Sequence, residues 1–318
     1  MAIEKKQDSR SLNALWADES IFRKNFDRAP FCLAHNLAGH PLFELPRLLQ
    51  LGHLLKRNRN NFSYDAGDIR VEQRWNQRPE NPYTLEEAIE RIDSTGAWVI
   101  LKHAELDPDY KALLATIMSD IQKMSASDLQ KAAKNLEAQI MLTSPSRITP
   151  YHIDNECNVL LQIKGEKDLF VFDQADRQIL TEPELERFWI GDWSAGEYKA
   201  RCQDRAHAFR LVPGNAVHIP VNAPHWVKND ANVSISLSIN FEWKDELIPN
   251  VYRANYFLRR IGIQPRPPGQ STLSDSLKKT VIAASFVPAR VVARGTIRFL
   301  RRVRYAKTQR STKKPATA

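Results

Sequence analysis

Apolar positions in the first 140 residues recur mostly at helical spacing. Between Glu44 and Arg57, Leu45, Leu48, Leu49, Leu51, Leu54 and Leu55 fall largely on one face, which predicts an amphipathic helix. Thr84 with Glu87 three residues later has the pattern of a capping box ahead of Ala88, Ile89 and Ile92, and Gly96 is the expected stop. Ala97 to Leu101 reads as a short buried strand. A helix is predicted after Asp107-Pro108, and another, capped by Ser127, to about Gln139. Residues 1–139 are thus expected to form a mainly helical part packing on the second half of the chain.

From Ile140 the period shortens to 2 and stays there for a hundred residues. Asn158–Ile163 and Lys167–Phe172 are strand-like runs flanking Lys164-Gly165-Glu166, which reads as a hairpin. Pro213-Gly214-Asn215, Asn222-Ala223-Pro224 and Asn229–Asn232 punctuate further short strands. Such spacing predicts a β sandwich or barrel, here with flanking helices. In the last strand Ser234, Ser236, Ser238 and Asn240 alternate with Ile235, Leu237, Ile239 and Phe241. An exposed sheet would give this pattern. So would a barrel whose polar side chains line a wet cavity while the apolar face packs under helices, and the helical first half favours that arrangement. The expected parts are 140–248 for the barrel, 249–270 for a connecting segment broken at Pro265–Pro268, and 271–318 for a basic tail.

Charge changes this picture only at the tail. The 318 residues carry a net charge of +9, but 271–318 hold 12 Lys/Arg against the single acid Asp275. The remainder, with 34 basic and 36 acidic residues, is slightly negative, so the charge does not support a nucleic-acid footprint over the whole protein and leaves open one borne by the tail. Between Ala289 and Tyr305, Arg290, Arg294, Arg298, Arg301 and Arg302 lie near one helical face, with Val292, Ile297, Phe299, Leu300 and Val303 over much of the rest. A basic amphipathic helix of this kind suits an anionic membrane surface, RNA or a partner groove, and equally a helix docked on the body. Lys307 to Ala318 is expected to be disordered. Three scattered cysteines (Cys32, Cys157, Cys202) argue against a disulfide framework, and no apolar run is long enough to span a bilayer. The expected location is the cytoplasm.

Of the eight histidines, His152 has the informative context. His152-Ile153-Asp154 on a strand would send an imidazole and a carboxylate to one face. One more histidine, His218 or His225, would complete two imidazoles and a carboxylate around a metal with open positions.

Thr149-Pro150-Tyr151-His152-Ile153-Asp154, Asn158, Gln162-Ile163-Lys164-Gly165-Glu166-Lys167, Pro213-Gly214, Ile219-Pro220, His225 and Asn240 together resemble the JmjC-type, cupin-fold 2-oxoglutarate oxygenases. The nearest likeness is to the asparaginyl hydroxylases of hypoxia-inducible factor. The resemblance covers about residues 140–245 and implies a double-stranded β-helix (jelly-roll) core. It further implies Fe(II) held by His152, Asp154 and His225, with Lys167 and Thr149 on the distal carboxylate of 2-oxoglutarate and Asn158 and Asn240 lining that pocket. The implied reaction oxidises 2-oxoglutarate to succinate and CO2 while hydroxylating a protein or peptide side chain. An RNA or small-molecule substrate, and a non-catalytic cupin-like ligand-binding or regulatory protein, are the alternatives. A homodimer is the candidate assembly. The aromatic partner often found at the distal carboxylate has no clear counterpart, Tyr151 lying too close to the metal ligands. The segment Phe188–Trp193 matches nothing in the pattern, and substrate selectivity is expected there and in the N-terminal helices.

Overall fold

The structure, a computed structural model, describes residues 13–79 and 81–282; the tail helix expected over 289–305 and the segment 307–318 lie outside them. The chain divides into two compact units, one ending at Asp245 and one beginning at Glu246.

In chain order the first unit comprises β1 (Leu15–Trp16), α1 (Glu19–Asn25), β2 (Phe31–His35), α2 (Leu45–Leu55), β3 (Phe62–Ala66), α3 (Leu85–Glu90), β4 (Ala97–Leu101) and α4 (Pro108–Met124). It continues with α5 (Leu129–Ala132), β5 (Ala133–Thr143), β6 (Ile148–His152), β7 (Cys157–Lys164), β8 (Lys167–Val171), α6 (Glu182–Trp189), β9 (His207–Leu211), β10 (Asn215–Ile219), β11 (His225–Asn229) and β12 (Ser234–Trp243). An eight-stranded sheet runs β1-β2-β10-β7-β12-β5-β4-β3 and a four-stranded sheet runs β6-β11-β8-β9. The described pairings are all antiparallel. The second unit contains α7 (Leu247–Arg260) and a helix over 272–282.

The larger sheet separates two cores. On its outer side Val159, Leu161 and Ile163 of β7 and Ile235, Leu237 and Ile239 of β12 pack with Leu48, Leu51 and Leu55 of α2 and Ile117 and Ile121 of α4. Each fully buried leucine contributes about 1.5–3 kcal/mol. On its inner side Leu160, Val217 and Ile219 meet Leu169, Val171 and Val227 of the smaller sheet. The period of 2 in β12 is therefore a partition between these cores. Its serines and Asn240 are also buried, none more than 2% exposed, on the side facing the smaller sheet.

Four expectations need correction. Residues 1–139 supply β1 to β4 and most of β5 to the large sheet besides their helices, because short segments such as β2 find an open edge at β10. The helix predicted from Ser127 to Gln139 shrinks to α5, capped by Asp128, and Ala133 onward is strand. Pairing of β5 with β12 over residues 133–143 overrides the local helical preference. α3 stops at Glu90, so Gly96 (φ +60°) ends the following turn and not the helix. Finally, Lys164-Gly165-Glu166 makes no hairpin: β7 and β8 belong to different sheets, and the turn carries the chain across the jelly roll. Gly165 has φ +72°, and a Cβ there would stand 2.2 Å from the Val233 carbonyl oxygen, so only glycine fits. The capping box at Thr84 and Glu87 forms as the sequence predicts.

Candidate metal centre

β6 and β11 are antiparallel neighbours, with His152 directly opposite His225. The strand ends at His152, so Asp154 projects from the chain just past it and not from the strand itself. The Asp154 Oδ2 atom lies 3.8 Å from His152 Nε2 and 3.6 Å from His225 Nε2. One donor atom from each of the three side chains lies within 4.8 Å of the others.

Backbone carbonyls fix which ring nitrogen faces the cluster. His152 Nδ1 is 2.8 Å from Pro150 O, and His225 Nδ1 is 3.0 Å from Ala223 O. A carbonyl can only accept, so each Nδ1 carries the proton and each Nε2 presents a lone pair toward Asp154. Burial pushes both imidazoles down to about 4, with His152 adding to the effect on His225. Asp154 keeps about a third of its side chain exposed, and its partial burial pushes the carboxyl up against the pull of His225 and Lys102. Two neutral imidazoles and one carboxylate, converging and pre-oriented, form a donor set that fits a divalent transition metal. Glu156 nearby is pushed up to about 8 by burial and by the Asp154 charge.

A β-bulge shapes the neighbouring wall. His225 opposes His152 but Val227 opposes Thr149, so two steps on β11 match three on β6. Thr149 and His152, three residues apart, would face opposite ways in a regular strand; the bulge turns both inward. On the other side of β11, Lys167 opposes Asn229 and Val171 opposes His225. Lys167 thus lies about 13 Å along the strand from the level of the histidines.

Lys167 is 4% exposed, and its Nζ donates to Ser236 Oγ at 2.6 Å. Among the described residues no carboxylate lies within ion-pair distance of it, and burial alone pushes the ammonium down to about 7. Ser236 donates to Gln162 Oε1 at 2.8 Å, and the Gln162 amide donates to Lys164 O, Gly165 O and Ser234 Oγ. Deeper along the same wall Asn158 and Asn240 are register partners joined through Ser238: Asn158 Nδ2 donates to Ser238 Oγ at 2.7 Å, which donates to Asn240 Oδ1 at 2.9 Å. Asn158 Oδ1 is buried with no partner. A buried cation without a counter-charge, on a wall of hydroxyls and amides, is chemically suited to a dicarboxylate.

His218 is elsewhere. It accepts from Asp27 N at 2.8 Å, holds Asn158 O at 3.0 Å and packs against Phe26 and Phe31. Tyr151 faces away from the centre, into a cluster with Phe172 and Cys202. Trp75, which the sequence reading missed, stacks on His152 with centroids 4.4 Å apart. Its only sequence signal is a tryptophan in an otherwise polar loop.

A family model described as a cupin-like domain matches residues 56–246. The chain belongs to this cupin-like family. The family accords with the antiparallel jelly-roll core and its flanking helices. The crystal structure of Escherichia coli YcfD covers 86% of this chain and 68% of its own, with 14% identity and a TM-score of 0.50. At that identity the likeness extends to the fold. A complex of YcfD, described as a ribosomal oxygenase, with cobalt and 2-oxoglutarate covers 84% of this chain and 66% of its own (14% identity, TM-score 0.45). No curated protein matches the chain in sequence. Among the described residues no helix is long and apolar enough to cross a membrane.

Proposed function

We propose that this cupin-like protein is an Fe(II)- and 2-oxoglutarate-dependent oxygenase that hydroxylates a protein or peptide side chain. One observation carries the reading: two histidines with lone pairs turned toward a carboxylate lie on the same face of the four-stranded sheet as a buried lysine that has no carboxylate partner among the described residues. His152, Asp154 and His225 would hold the iron, which, when bound, supplies the activation of O2. Lys167 would take the distal carboxylate of 2-oxoglutarate, Thr149 would donate its hydroxyl to the same group, and Asn158 and Asn240 would line the space toward the metal. The pairing stabilises both partners, since the ammonium and the diacid each meet an opposite charge in a water-poor site. The carbonyls of Pro150 and Ala223 keep both rings in the ligating tautomer, and the apolar residues of the inner core exclude water. YcfD shares the fold, and the protein or peptide substrate is inferred from the sequence resemblance. The likeness to asparaginyl hydroxylases rests on sequence motifs alone.

The test is succinate formation from 2-oxoglutarate by the purified chain with Fe(II) and O2, with ribosomal proteins, RNA and small molecules offered in parallel. The reading expects turnover that needs iron and disappears in His152→Ala and Asp154→Ala. A folded, iron-loaded chain that forms no succinate with any substrate would leave a ligand-binding cupin.

A further inference from the structure

The second unit turns apolar side chains outward although its helices are held together. Val251, Tyr252, Ala254 and Asn255 of α7 are buried, and so are Asp275 and Ile282 of the helix over 272–282. The stretch between the helices is fastened to both. Asn255 Nδ2 donates to Arg266 O at 2.9 Å, Lys278 Nζ donates to the same carbonyl at 3.0 Å, and Gly269 N donates to Asp275 Oδ2 at 2.7 Å. On the opposite face of the second helix Leu273, Leu277 and Val281 are 86%, 66% and 53% exposed. Spaced four residues apart, they form a stripe about 12 Å long. Thr272, Ser276 and Thr280 beside them are exposed as well. Phe257 and Ile261, again four apart, and Ile263 are exposed at and just past the end of α7.

Charge narrows what can cover these side chains. Residues 246–318 hold 16 Lys/Arg against two acids, Glu246 and Asp275. Asp275 is buried and Glu246 pairs with Arg253 at 3.5 Å, so neither offsets the remaining cations. Arg260 and Arg266 are exposed, and Arg259, Lys278 and Lys279 are half-buried. Residues 283–318 continue directly from the apolar stripe and add 10 Lys/Arg and no acid, interspersed with Val, Ile, Leu and Phe. A second copy would bring the same cations to the contact, and like charges oppose that pairing. A nucleic acid would satisfy the cations but not the apolar side chains. Bases stack on aromatic rings, and Phe257 is the one aromatic among the exposed large apolar residues described in this unit. A bilayer with anionic headgroups meets both demands at once, with hydrocarbon for the aliphatic groups and phosphates for the cations.

We propose that the second unit docks on an anionic phospholipid bilayer. Its outward aliphatic side chains enter the boundary between headgroups and acyl chains, and its arginines and lysines meet the phosphates. The contact is peripheral, because 11 helical residues reach only about half of the hydrocarbon thickness. Neither component suffices alone, so both added salt and loss of the leucines should release the protein. The proposal stands apart from the oxygenase reading and survives its failure.

The experiment cosediments the full-length chain with vesicles of phosphatidylcholine alone and of phosphatidylcholine mixed equally with phosphatidylglycerol, over a salt series. Partitioning onto the mixed vesicles is expected to exceed that onto phosphatidylcholine at least about tenfold and to fall as salt rises. Leu273→Ser combined with Leu277→Ser, both at exposed positions, should lower the partition coefficient at least about fivefold. Ile261→Ser, beyond the end of α7, should lower it about twofold and supplies the test where circular dichroism shows the double variant misfolded. No binding to mixed vesicles, equal binding to both kinds, or unchanged binding in the folded serine variants overturns the proposal. Tighter binding of polyuridylate than of mixed vesicles overturns it in favour of a nucleic acid. A lipid-free dimer that the serine substitutions dissociate overturns it in favour of a second copy.

Discussion

Lys167 should destabilise the protein as long as the diacid proposed to pair with it is absent. Its ammonium is pushed down to about 7 from an ordinary 10.5. The folded chain therefore binds fewer protons than the unfolded chain between these values, and stability rises with pH across that window. Below pH 7 the cost to the native state reaches at most about 4–5 kcal/mol, and it fades as pH approaches 10.5. Lys167→Met keeps the length of the side chain and removes the charge. The Ser236 hydroxyl loses a donor but keeps Gln162 as its acceptor. A net gain of about 1–3 kcal/mol at pH 7 is expected, after loss of that hydrogen bond and imperfect repacking. Urea denaturation at pH 7 and pH 10 in the absence of 2-oxoglutarate measures it. The variant should be the more stable at pH 7, and the gap should narrow at pH 10. Added 2-oxoglutarate at a hundred times its dissociation constant should stabilise metal-loaded wild type by about 2.7 kcal/mol and the variant hardly at all. A methionine variant that is less stable at pH 7 by an amount independent of pH, or that is still stabilised by 2-oxoglutarate, would refute the reasoning.

Gly165→Ala should cost more than about 2 kcal/mol, because it adds a left-handed alanine to a close approach on Val233; equilibrium denaturation reads it. Asp65→Asn should destabilise by about 3–5 kcal/mol in the same assay, since Arg147 would be left as a buried unpaired charge. Thr84→Ala removes the hydroxyl half of an exposed capping box, leaving the Thr84 backbone N–H on Glu87 Oε2, and should cost about 1 kcal/mol, with no effect on metal binding.

The architecture of the barrel was legible because turn chemistry and period-2 alternation agree in residues 140–243. The polar stripe of β12 marked one face of the strand but not that the face is buried, since alternation between two buried faces leaves the same trace as a wet cavity. What was not legible depended on distant pairing. β5 looks helical until β12 is beside it, and Lys164-Gly165-Glu166 looks like a hairpin until both flanking strands have other neighbours. The bulge that turns Thr149 inward is a property of two strands and cannot be read from one. Trp75 and His152 come from separate segments, brought together only by the fold.

Cobalt(II) titration of the purified chain, with stoichiometry read by its absorption spectrum and by equilibrium dialysis, tests the three-residue centre most directly. One ion per chain is predicted for wild type, with binding lost in Asp154→Ala and His225→Ala and retained in His218→Ala. Full retention of cobalt by folded Asp154→Ala and His225→Ala would contradict the account.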